Sequence, residues 1–338
     1  MKIFLSILLA ALFGISTAQE LTDPIAERMI SYQLKNGGWP KQLADKSVVN
    51  YSKLLTPALQ KVINRSTEKL ATIDNNATTR EINHLLLAYS KTNNSTYLDA
   101  ATKGVQYILS AQNDKGGWPQ YYPDSSSYRG QITYNDGAMI NVLEILLSIS
   151  TKQEAYRVLT DKFSGEIEPA LTQGIDCILR TQVKQGNKAT IWAAQYDQKT
   201  MEPVQARLFE PIALATAESA GILRFLMRIE NPAPEIKNAI THAVEWFSTH
   251  KEVGYDYIKT EKNGKLIREL VTSPTSTIWA RFYDVKTNQP IFGDRDNKVK
   301  YSLNEVSEER KNGYSWYGNW PQKVITREYE KWLNKVNL

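Results

Sequence analysis

A tetrapeptide occurs twice in this chain, as Gly37-Gly38-Trp39-Pro40 and again as Gly116-Gly117-Trp118-Pro119. Each copy follows a glutamine near the end of a segment whose apolar residues recur at helical spacing. These glutamines are Gln33 and Gln112, and a weaker third copy has Gln182 ahead of Trp192. A unit that repeats after roughly 70 to 80 residues has room for about two helices and a long loop, and one helical hairpin cannot bury its apolar face alone. The units must therefore stack on each other or close into a ring.

Helical spacing of apolar residues dominates the rest of the chain. It is found in residues 81–89, 101–109, 139–149, 171–179 and 213–227. Alternating apolar and polar residues are scarce, so we expect a mainly α-helical fold. From about Gly254 to Pro321 the helical period is lost, and we expect loops and short strands that cover one end of the molecule. The long loops between helices are rich in Gly, Trp, Tyr and Asn, so a ligand site should lie where they gather.

Residues 1–18 have the features of a secretory signal peptide. Lys2 precedes an apolar run from Ile3 to Ile15, and the small residues Ser16-Thr17-Ala18 follow it. We expect cleavage after Ala18 and export to the periplasm or the extracellular medium. No later stretch is as long and apolar as a membrane-spanning helix requires. No linker divides residues 19–338, so we expect a single domain that is a monomer and has no membrane partner.

Composition and motifs exclude several classes of function. The single cysteine, Cys177, lies in an apolar run, so we expect a buried structural thiol and no disulfide. The formal charge of +5 suits an anionic extracellular partner, but no dense Lys/Arg stripe indicates nucleic-acid binding. The sequence has no Gly-x-Ser-x-Gly elbow, no Gly-Lys-Ser/Thr phosphate loop and no Gly-x-Gly-x-x-Gly fingerprint. Serine esterase, nucleotide and dinucleotide chemistry therefore lack support.

Charged side chains stand just ahead of the second helix of each repeat. They are Asp74, Asp136 and, in the third copy, Arg207. If the repeats are arranged around an axis, these three side chains arise at equivalent ends of neighbouring units and face a common cavity. An aspartate before a helix is also a common N-cap, and this alternative stays open for each one singly.

The acids and their amide neighbours are typical of a hard-metal site. Oxygens of Asp74, Asp136 and Asn75 suit Ca²⁺ or Mg²⁺ and are poor ligands for zinc or copper. Two protein carboxylates make an underfilled site that an anionic ligand could complete. The three histidines show no metal-ligand pairing, and we expect His84 to be a packing residue within an apolar helix.

Two arginines and several aromatic residues complete the candidate binding groups. Arg281 and Arg295 lie among aromatic residues, where each could bind a carboxylate through two hydrogen bonds or could pair with a neighbouring Asp. Aromatic side chains could stack on sugar rings or form the core, and both readings stay open. They are Trp39, Trp118, Trp192, Trp316, Trp320, Tyr121, Tyr122, Tyr314 and Tyr317.

Taken in order, these segments resemble the catalytic module of the family 10 polysaccharide lyases, which are pectate lyases. The resemblance covers nearly all of the chain after residue 18 and rests on residues 36–41, 72–75, 117–123, 134–136, 192–195, 206–207, 218–222, 281–284, 294–296, 309–310 and 313–316. It implies a mainly α-helical (α/α)₃ toroid of helical hairpins with long loops, a few short strands and a central groove. It also implies that the enzyme cleaves polygalacturonate (pectate) by Ca²⁺-assisted β-elimination.

The resemblance also implies roles for single residues. Asp74, Asp136 and, with less support, Asn75 match the calcium ligands, and Arg207 matches the base that removes the C5 proton. Arg281 and Arg295 match arginines that bind substrate carboxylates. Asn76 follows the Asp74-Asn75 pair where we expect glycine in many relatives, so the local geometry could differ.

Two other functions are compatible with the same residues. A glycoside hydrolase on a related helical toroid would act on uronides with an acid and a base and would need no calcium. A non-catalytic protein could bind acidic glycans through its arginines and aromatic residues. Formation of an unsaturated product from polygalacturonate in calcium, and its loss in chelator, would distinguish a lyase from both alternatives.

Overall fold

Helices are the predominant regular element of the structure, a computed structural model that describes residues 22–336. The predicted signal peptide therefore lies outside the described residues. Within them the α-helices are α1 (Pro24–Tyr32), α2 (Pro57–Arg65), α3 (Thr79–Thr92), α4 (Ser95–Ala111), α5 (Ala138–Ser150), α6 (Ile167–Thr181), α7 (Thr216–Leu226), α8 (Pro234–Thr249), α9 (Glu308–Gly313) and α10 (Tyr329–Val336). The prediction of a mainly α-helical fold is confirmed.

Consecutive helices pack as hairpins, and the first helices of the hairpins pack on each other. The hairpins are α3 with α4, α5 with α6 and α7 with α8, while α3 contacts α5 and α5 contacts α7. Helix α5 is apolar on nearly every face and is the most completely buried of these helices, because it has neighbours on both sides and α6 behind it. This is the expected arrangement of three helical hairpins, with α1 packed against α3 and α4.

The repeated glutamine links each unit to the next one. Gln33 follows α1, and its side-chain amide donates to the carbonyls of Gly37 and Ala100, both at 2.8 Å. Ala100 lies on α4, so this amide joins the loop of one unit to a helix of the following hairpin. Gln112 and Gln182 make the corresponding pairs of bonds, to Gly116 and Ala170 and to Thr190 and Ala239. The glutamines are therefore structural.

The repeated tryptophan closes each unit on itself. The indole N–H of Trp39 donates to the carbonyl of Met29 at 2.7 Å, and the ring is fully buried. Three further tryptophans make the same kind of bond to the preceding helix, Trp118 to Ile108, Trp192 to Ile178 and Trp279 to Phe247. Trp316 is also fully buried. Since these rings lie in the core, they are not sugar-stacking surfaces.

A long β-hairpin corrects the prediction for the C-terminal third. Strand β6 (Glu252–Lys262) pairs with β7 (Lys265–Ala280), and these strands have 11 and 16 residues. Asn263 and Gly264 join them with φ of 52° and 73°, as a two-residue hairpin turn requires. Most of the hairpin is half-exposed on both faces, so its sequence lacks a clear alternation of apolar and polar residues.

The other strands are short, as predicted. In chain order they are β1 (Ile132–Thr133), β2 (Lys184–Gln185), β3 (Lys188–Ala189), β4 (Gln195–Tyr196), β5 (Leu214–Ala215), β8 (Phe282–Tyr283), β9 (Pro290–Gly293), β10 (Val299–Lys300) and β11 (Tyr317–Gly318). Strand β1 pairs with β4, and β5 pairs with β8, which extends through β9 to β10. These pairings fix the loops at the ends of the helices relative to each other.

Two smaller predictions can be compared with the structure. Cys177 is fully buried, and burial raises the pKa of its thiol to about 12, which confirms an inert structural residue. His84 lies on α3, as predicted, and its ring nitrogen Nε2 lies 3.1 Å from a carboxylate oxygen of Asp23; the ring is half-buried and so is less enclosed than a core packing residue. Between residues 22 and 336, no helix has the length and apolar character that a membrane crossing needs.

Candidate active site

Two short 3₁₀ turns, Asp74–Asn76 and Asn135–Gly137, precede α3 and α5. The backbone φ is 51° at Asn75 and 51° at Asp136, a left-handed conformation that Asn and Asp tolerate better than most residues. Neither acid caps its helix, because the N-cap positions are Thr78 and Gly137. The capping alternative is therefore wrong for both aspartates.

The backbones of the two turns correspond to each other, but the aspartate occupies a different position in each turn. Thr72 donates its backbone N–H to Trp39, and Thr133 donates its own to Trp118, each at 3.1 Å. Counted from these bonds, Asn75 corresponds to Asp136, as their shared φ also indicates, and Asp74 corresponds to Asn135. The acids of the two repeats are thus one position out of register, an Asp-Asn pair in one turn and an Asn-Asp pair in the other.

The amide of Asn75 connects the two carboxylates. One of its terminal atoms lies 3.2 Å from Oδ1 of Asp74 and 3.3 Å from Oδ2 of Asp136. If that atom is nitrogen, it donates to both acids. If it is oxygen, three oxygens converge on one point, an arrangement that a cation stabilises. The structure therefore brings together the three predicted metal ligands.

The electrostatic environment of the two acids differs. Burial raises the pKa of the Asp136 carboxyl, and the charge of Asp74 raises it further, while Arg281 and Arg207 oppose the shift. Asp74 instead forms an ion pair with Lys41. Burial by itself lowers the pKa of the Lys41 ammonium, but the hydrogen bond and charge of Asp74 outweigh burial and leave this pKa above its ordinary value.

Lys41 is a site residue that sequence reasoning missed. It follows Gly37-Gly38-Trp39-Pro40 directly, so its position beside the repeated motif could have indicated it. Its ammonium also lies 5.8 Å from the centre of the Tyr121 ring.

Arg207 comes from the loop between β4 and β5, and Glu210 holds it in place. Nε of the guanidinium donates to Oε2 of Glu210 at 2.7 Å, and Nη2 donates to Oε1. The hydroxyl of Tyr314 donates to Oε1 of Glu210 at 3.1 Å. The Glu210 hydrogen bonds raise the pKa of Arg207 above its already high ordinary value, although burial opposes them.

Arg207 is therefore not the third-repeat counterpart of the two acids, and the predicted equivalence is wrong. In that repeat Ala215 donates its backbone N–H to Trp192 at 2.7 Å. Asn75 and Asp136 each lie three residues after the corresponding backbone donor in their own repeats. The residue three positions after Ala215 is Glu218. This carboxylate is buried, and sequence reasoning missed it because Glu218 already lies within α7.

Glu218 binds Arg281. Nη2 of Arg281 donates to Oε1 of Glu218 at 2.6 Å, and the guanidinium lies 5.1 Å from the Tyr314 ring. Burial lowers the pKa of this guanidinium, but the charge of Glu218, together with those of Tyr314, Asp136 and Glu210, outweighs burial and leaves the pKa above its ordinary value. The neighbouring Asp284 accepts bonds from the backbone of its own turn. The alternative that Arg281 pairs with a neighbouring Asp is therefore wrong.

Arg295 is more exposed and pairs with Glu309. Its Nε and Nη2 donate to the two carboxylate oxygens at 2.8 and 3.0 Å, so it too does not pair with the adjacent aspartates. The guanidinium lies 5.9 Å from the Phe209 ring, while those of Arg207 and Arg310 lie 4.7 and 4.6 Å from it. Three arginines thus surround Phe209, and sequence reasoning did not single out Arg310.

A cavity of about 170 Å³ unites the acids and the arginine. Its lining includes Asp74, Asn75, Asp136 and Arg207, together with Lys41 and Glu210. Arg281 and Arg295 are not among the lining residues, but the charge of Arg281 acts on Asp136 and Arg295 shares Phe209 with Arg207. Within residues 22–336 no cluster of three or more His, Cys, Asp or Glu side chains could hold a metal ion. The candidate metal ligands are therefore two acids and one amide, Asp74, Asp136 and Asn75.

Comparison with known proteins agrees with this geometry. The sequence profile of the pectic acid lyase family matches residues 33–325. A family 10 polysaccharide lyase from Cellvibrio cellulosa is similar in structure, with a TM-score of 0.80, 32% sequence identity and coverage of 93% of this chain and 91% of that one.

A mutant of the Cellvibrio cellulosa lyase in complex with trigalacturonic acid is similar to the same degree, with a TM-score of 0.80, 31% identity and coverage of 93% of this chain and 92% of that one. No sequence among the curated proteins matches. The chain belongs to the pectic acid lyase family and is a pectate lyase of the family 10 polysaccharide lyase type.

Proposed function

We propose that this pectate lyase cleaves α-1,4-linked polygalacturonate by Ca²⁺-assisted β-elimination, with Arg207 as the base. The observation that carries the proposal is the single cavity that holds Arg207 beside Asp74 and Asp136. The complex of the similar Cellvibrio lyase with trigalacturonic acid supports a galacturonate substrate.

Asp74, Asp136 and Asn75 would hold the calcium ion. All three offer hard oxygen donors, and the Asn75 amide already lies 3.2 and 3.3 Å from the two carboxylates. When bound, calcium would neutralise the uronate carboxylate and stabilise the charge that develops on it as the C5 proton leaves. Lys41 would have to share or release Asp74, because its ammonium now pairs with that carboxylate.

Arg207 can accept the C5 proton only as a neutral guanidine. In the free enzyme Glu210 orients the guanidinium and favours its protonated form, so the charge of Glu210 opposes the base function while its position supports it. We propose that Arg207 loses its proton in the complex, where positive charge gathers around it and water is excluded. Glu210 is a positioning residue in this scheme.

Arg281 and Arg295 would bind substrate carboxylates. Arg281 uses Nη2 on Glu218, and no hydrogen bond within the described residues uses its Nη1, so this guanidinium retains a terminal donor. Arg295 uses Nε and Nη2 on Glu309, and its side chain is 62% exposed, so Nη1 remains accessible. Both arginines can therefore add a uronate to their present ion pairs.

We also propose that residues 19–338 act as a single catalytic domain and as a monomer. The apolar core of the described residues is one continuous cluster, which supports one domain. Export to the periplasm or beyond rests on the signal-peptide features of residues 1–18.

The test is the ultraviolet absorbance of the unsaturated product formed from de-esterified polygalacturonate. Wild-type enzyme should produce it in calcium and not in chelator. Arg207→Ala and Arg207→Lys should lose about a hundredfold or more in rate, as loss of a general base does. Arg180→Ala is the matched control, because Arg180 pairs with Asp176 on the exposed side of α6. Equal rates for the Arg207 variants and the control would refute the base assignment.

A further inference from the structure

A large cavity in the described structure lies outside the catalytic cavity. It has a volume of about 740 Å³ and is bounded by strand β7, by β9, by the segment that follows β10, and by α9. Polar and aromatic side chains line it, among them Arg268, Gln289, Tyr301, Asn304 and Lys311. None of these residues takes part in the proposed elimination.

Arg268 is the charged lining side chain that lacks a counterion. Among the described residues its guanidinium forms no ion pair, and its Nε is buried without a hydrogen-bond partner. The lining carboxylates are already neutralised: Glu269 pairs with Lys262 at 3.0 Å and Glu308 with Lys311 at 3.2 Å. No hydrogen bond within the described protein uses Nη1 or Nη2 of Arg268, and its positive charge has no counterion, so the cavity favours an anionic ligand at this position.

The rest of the lining suits a sugar. Tyr301 is 63% exposed and offers a flat apolar face at the cavity. The side chains of Gln289 and Asn304 are exposed and form no hydrogen bond with the described protein, so both amides are available to hydroxyl groups. A carboxylate group, a sugar ring and hydroxyl groups together describe a uronate.

Helix α9 connects this cavity with the proposed substrate groove. Glu309 binds Arg295, while Glu308 and Lys311 of the same helix line the cavity. A polyanionic chain that passes Arg295 would therefore meet the cavity one helix away. We propose that this cavity is an accessory site that binds a remote galacturonate segment of the polymer, with Arg268 on its carboxylate. The inference rests on the proposed function, because that function supplies the polymer.

The experiment measures retardation of the full chain by polygalacturonate in an affinity gel that contains chelator, so that no turnover occurs. Arg268→Ala should weaken the apparent affinity for the polymer about tenfold, as loss of a charged hydrogen-bonding group does. Lys265→Ala is the matched control, because it removes one positive charge from the same strand at an exposed position outside the cavity. It should be retarded like wild type.

Equal retardation of Arg268→Ala and Lys265→Ala would overturn the accessory site, as would a wild-type chain that the polymer does not retard. If Arg268→Ala fails to fold, Tyr301→Ala tests the same site, because truncation of that exposed side chain should leave the fold intact. Weaker retardation of Tyr301→Ala supports the accessory site, and unchanged retardation refutes it. Failure of the proposed function is distinguishable, because it would appear as absence of unsaturated product from wild-type enzyme in calcium, whatever the gel shows.

Discussion

Three of the charged groups that we assign to metal, proton and substrate binding are already paired in the free enzyme. Asp74 has Lys41, Arg207 has Glu210 and Arg281 has Glu218. Such pairs hold side chains in position, and they also compete with the ligands those side chains are proposed to bind. The partners Lys41 and Glu210 should therefore tune metal binding and basicity.

Replacement of Glu210 by Gln should move the pH dependence of the reaction. The Glu210 carboxylate raises the pKa of Arg207, so its removal lowers that pKa and makes the neutral base available at lower pH. Loss of a charge-assisted hydrogen bond predicts an acid shift of the activity profile by about one to two pH units. The measurement is the rate of product formation on polygalacturonate as a function of pH.

The control for this variant is Tyr314→Phe, which removes the hydroxyl that donates to Glu210 but keeps the carboxylate. Its profile should move far less. A Glu210→Gln profile that stays in place or moves to higher pH would contradict the proposed link between Glu210 and the base.

Replacement of Lys41 by Met should strengthen calcium binding to the free enzyme. The ammonium competes with the metal for Asp74, and a unit charge about 4 Å away is worth about 1 kcal/mol even in water. We expect at least about a fivefold lower Kd in calorimetric titration with calcium. Lys69→Met, at an exposed position outside the cavity, should bind like wild type. Equal affinity of the two variants would show that Lys41 does not compete for the site.

At the scale of elements, the repeated loop depends on close approach of its glycine to the next hairpin. A Cβ at Gly116 would lie 2.2 Å from the carbonyl oxygen of Gln173 on α6, and a Cβ at Gly37 would lie 2.2 Å from that of Lys103 on α4. Both glycines also have positive φ, of 85° and 90°. The same residue thus serves as turn and as packing contact in both units.

Gly116→Ala should therefore destabilise the protein by about 3 kcal/mol or more, because overpacking adds to backbone strain. Gly186→Ala is the control, since Gly186 has φ of 61° but no atom near its added Cβ. It should lose only the strain, about 1 kcal/mol. Urea unfolding measures both variants, and equal losses would mean that contact with α6 contributes nothing.

The β-hairpin shows where sequence patterns fail at this scale. The dipeptide Asn263-Gly264 is a strong hairpin signal, yet the flanking strands lack alternation because both of their faces are half-exposed. Periodicity alone therefore suggested irregular structure. The sequence therefore indicates the turn but does not predict the length of the two strands.

For the whole molecule, metal binding should couple to stability. Calcium that binds the folded state through Asp74, Asn75 and Asp136 should stabilise it by about 2.7 kcal/mol at a free concentration a hundredfold above Kd. Thermal unfolding with calcium and with chelator measures this gain as a rise in Tm. Asp136→Asn should lose most of the rise, and an equal rise in that variant would exclude Asp136 as a ligand.

This gain should shrink on acidification. The pKa of Asp136 is raised, so as pH falls this carboxylate takes up a proton and loses calcium at higher pH than an ordinary aspartate would. A Tm gain that persists well below the ordinary carboxylate range would contradict the assignment.

The helical class, the repeat and the residue types of the site follow from the order of residues along the chain alone. Helical spacing is a local property of the chain, and Gln33, Trp39 and their repeats mark contacts that each unit makes in the same way. Asp74, Asp136 and Arg207 could be named because unusual charges stood at related places in successive units.

How these groups meet depends on the packing of the units in three dimensions. Asn75, and not Asp74, corresponds to Asp136, and the count in the third repeat reaches Glu218 and not Arg207. Lys41 pairs with an acid 33 positions away and Arg281 with one 63 positions away. Such pairs depend on how separate repeats pack around the cavity, and no local pattern of residues encodes that distance.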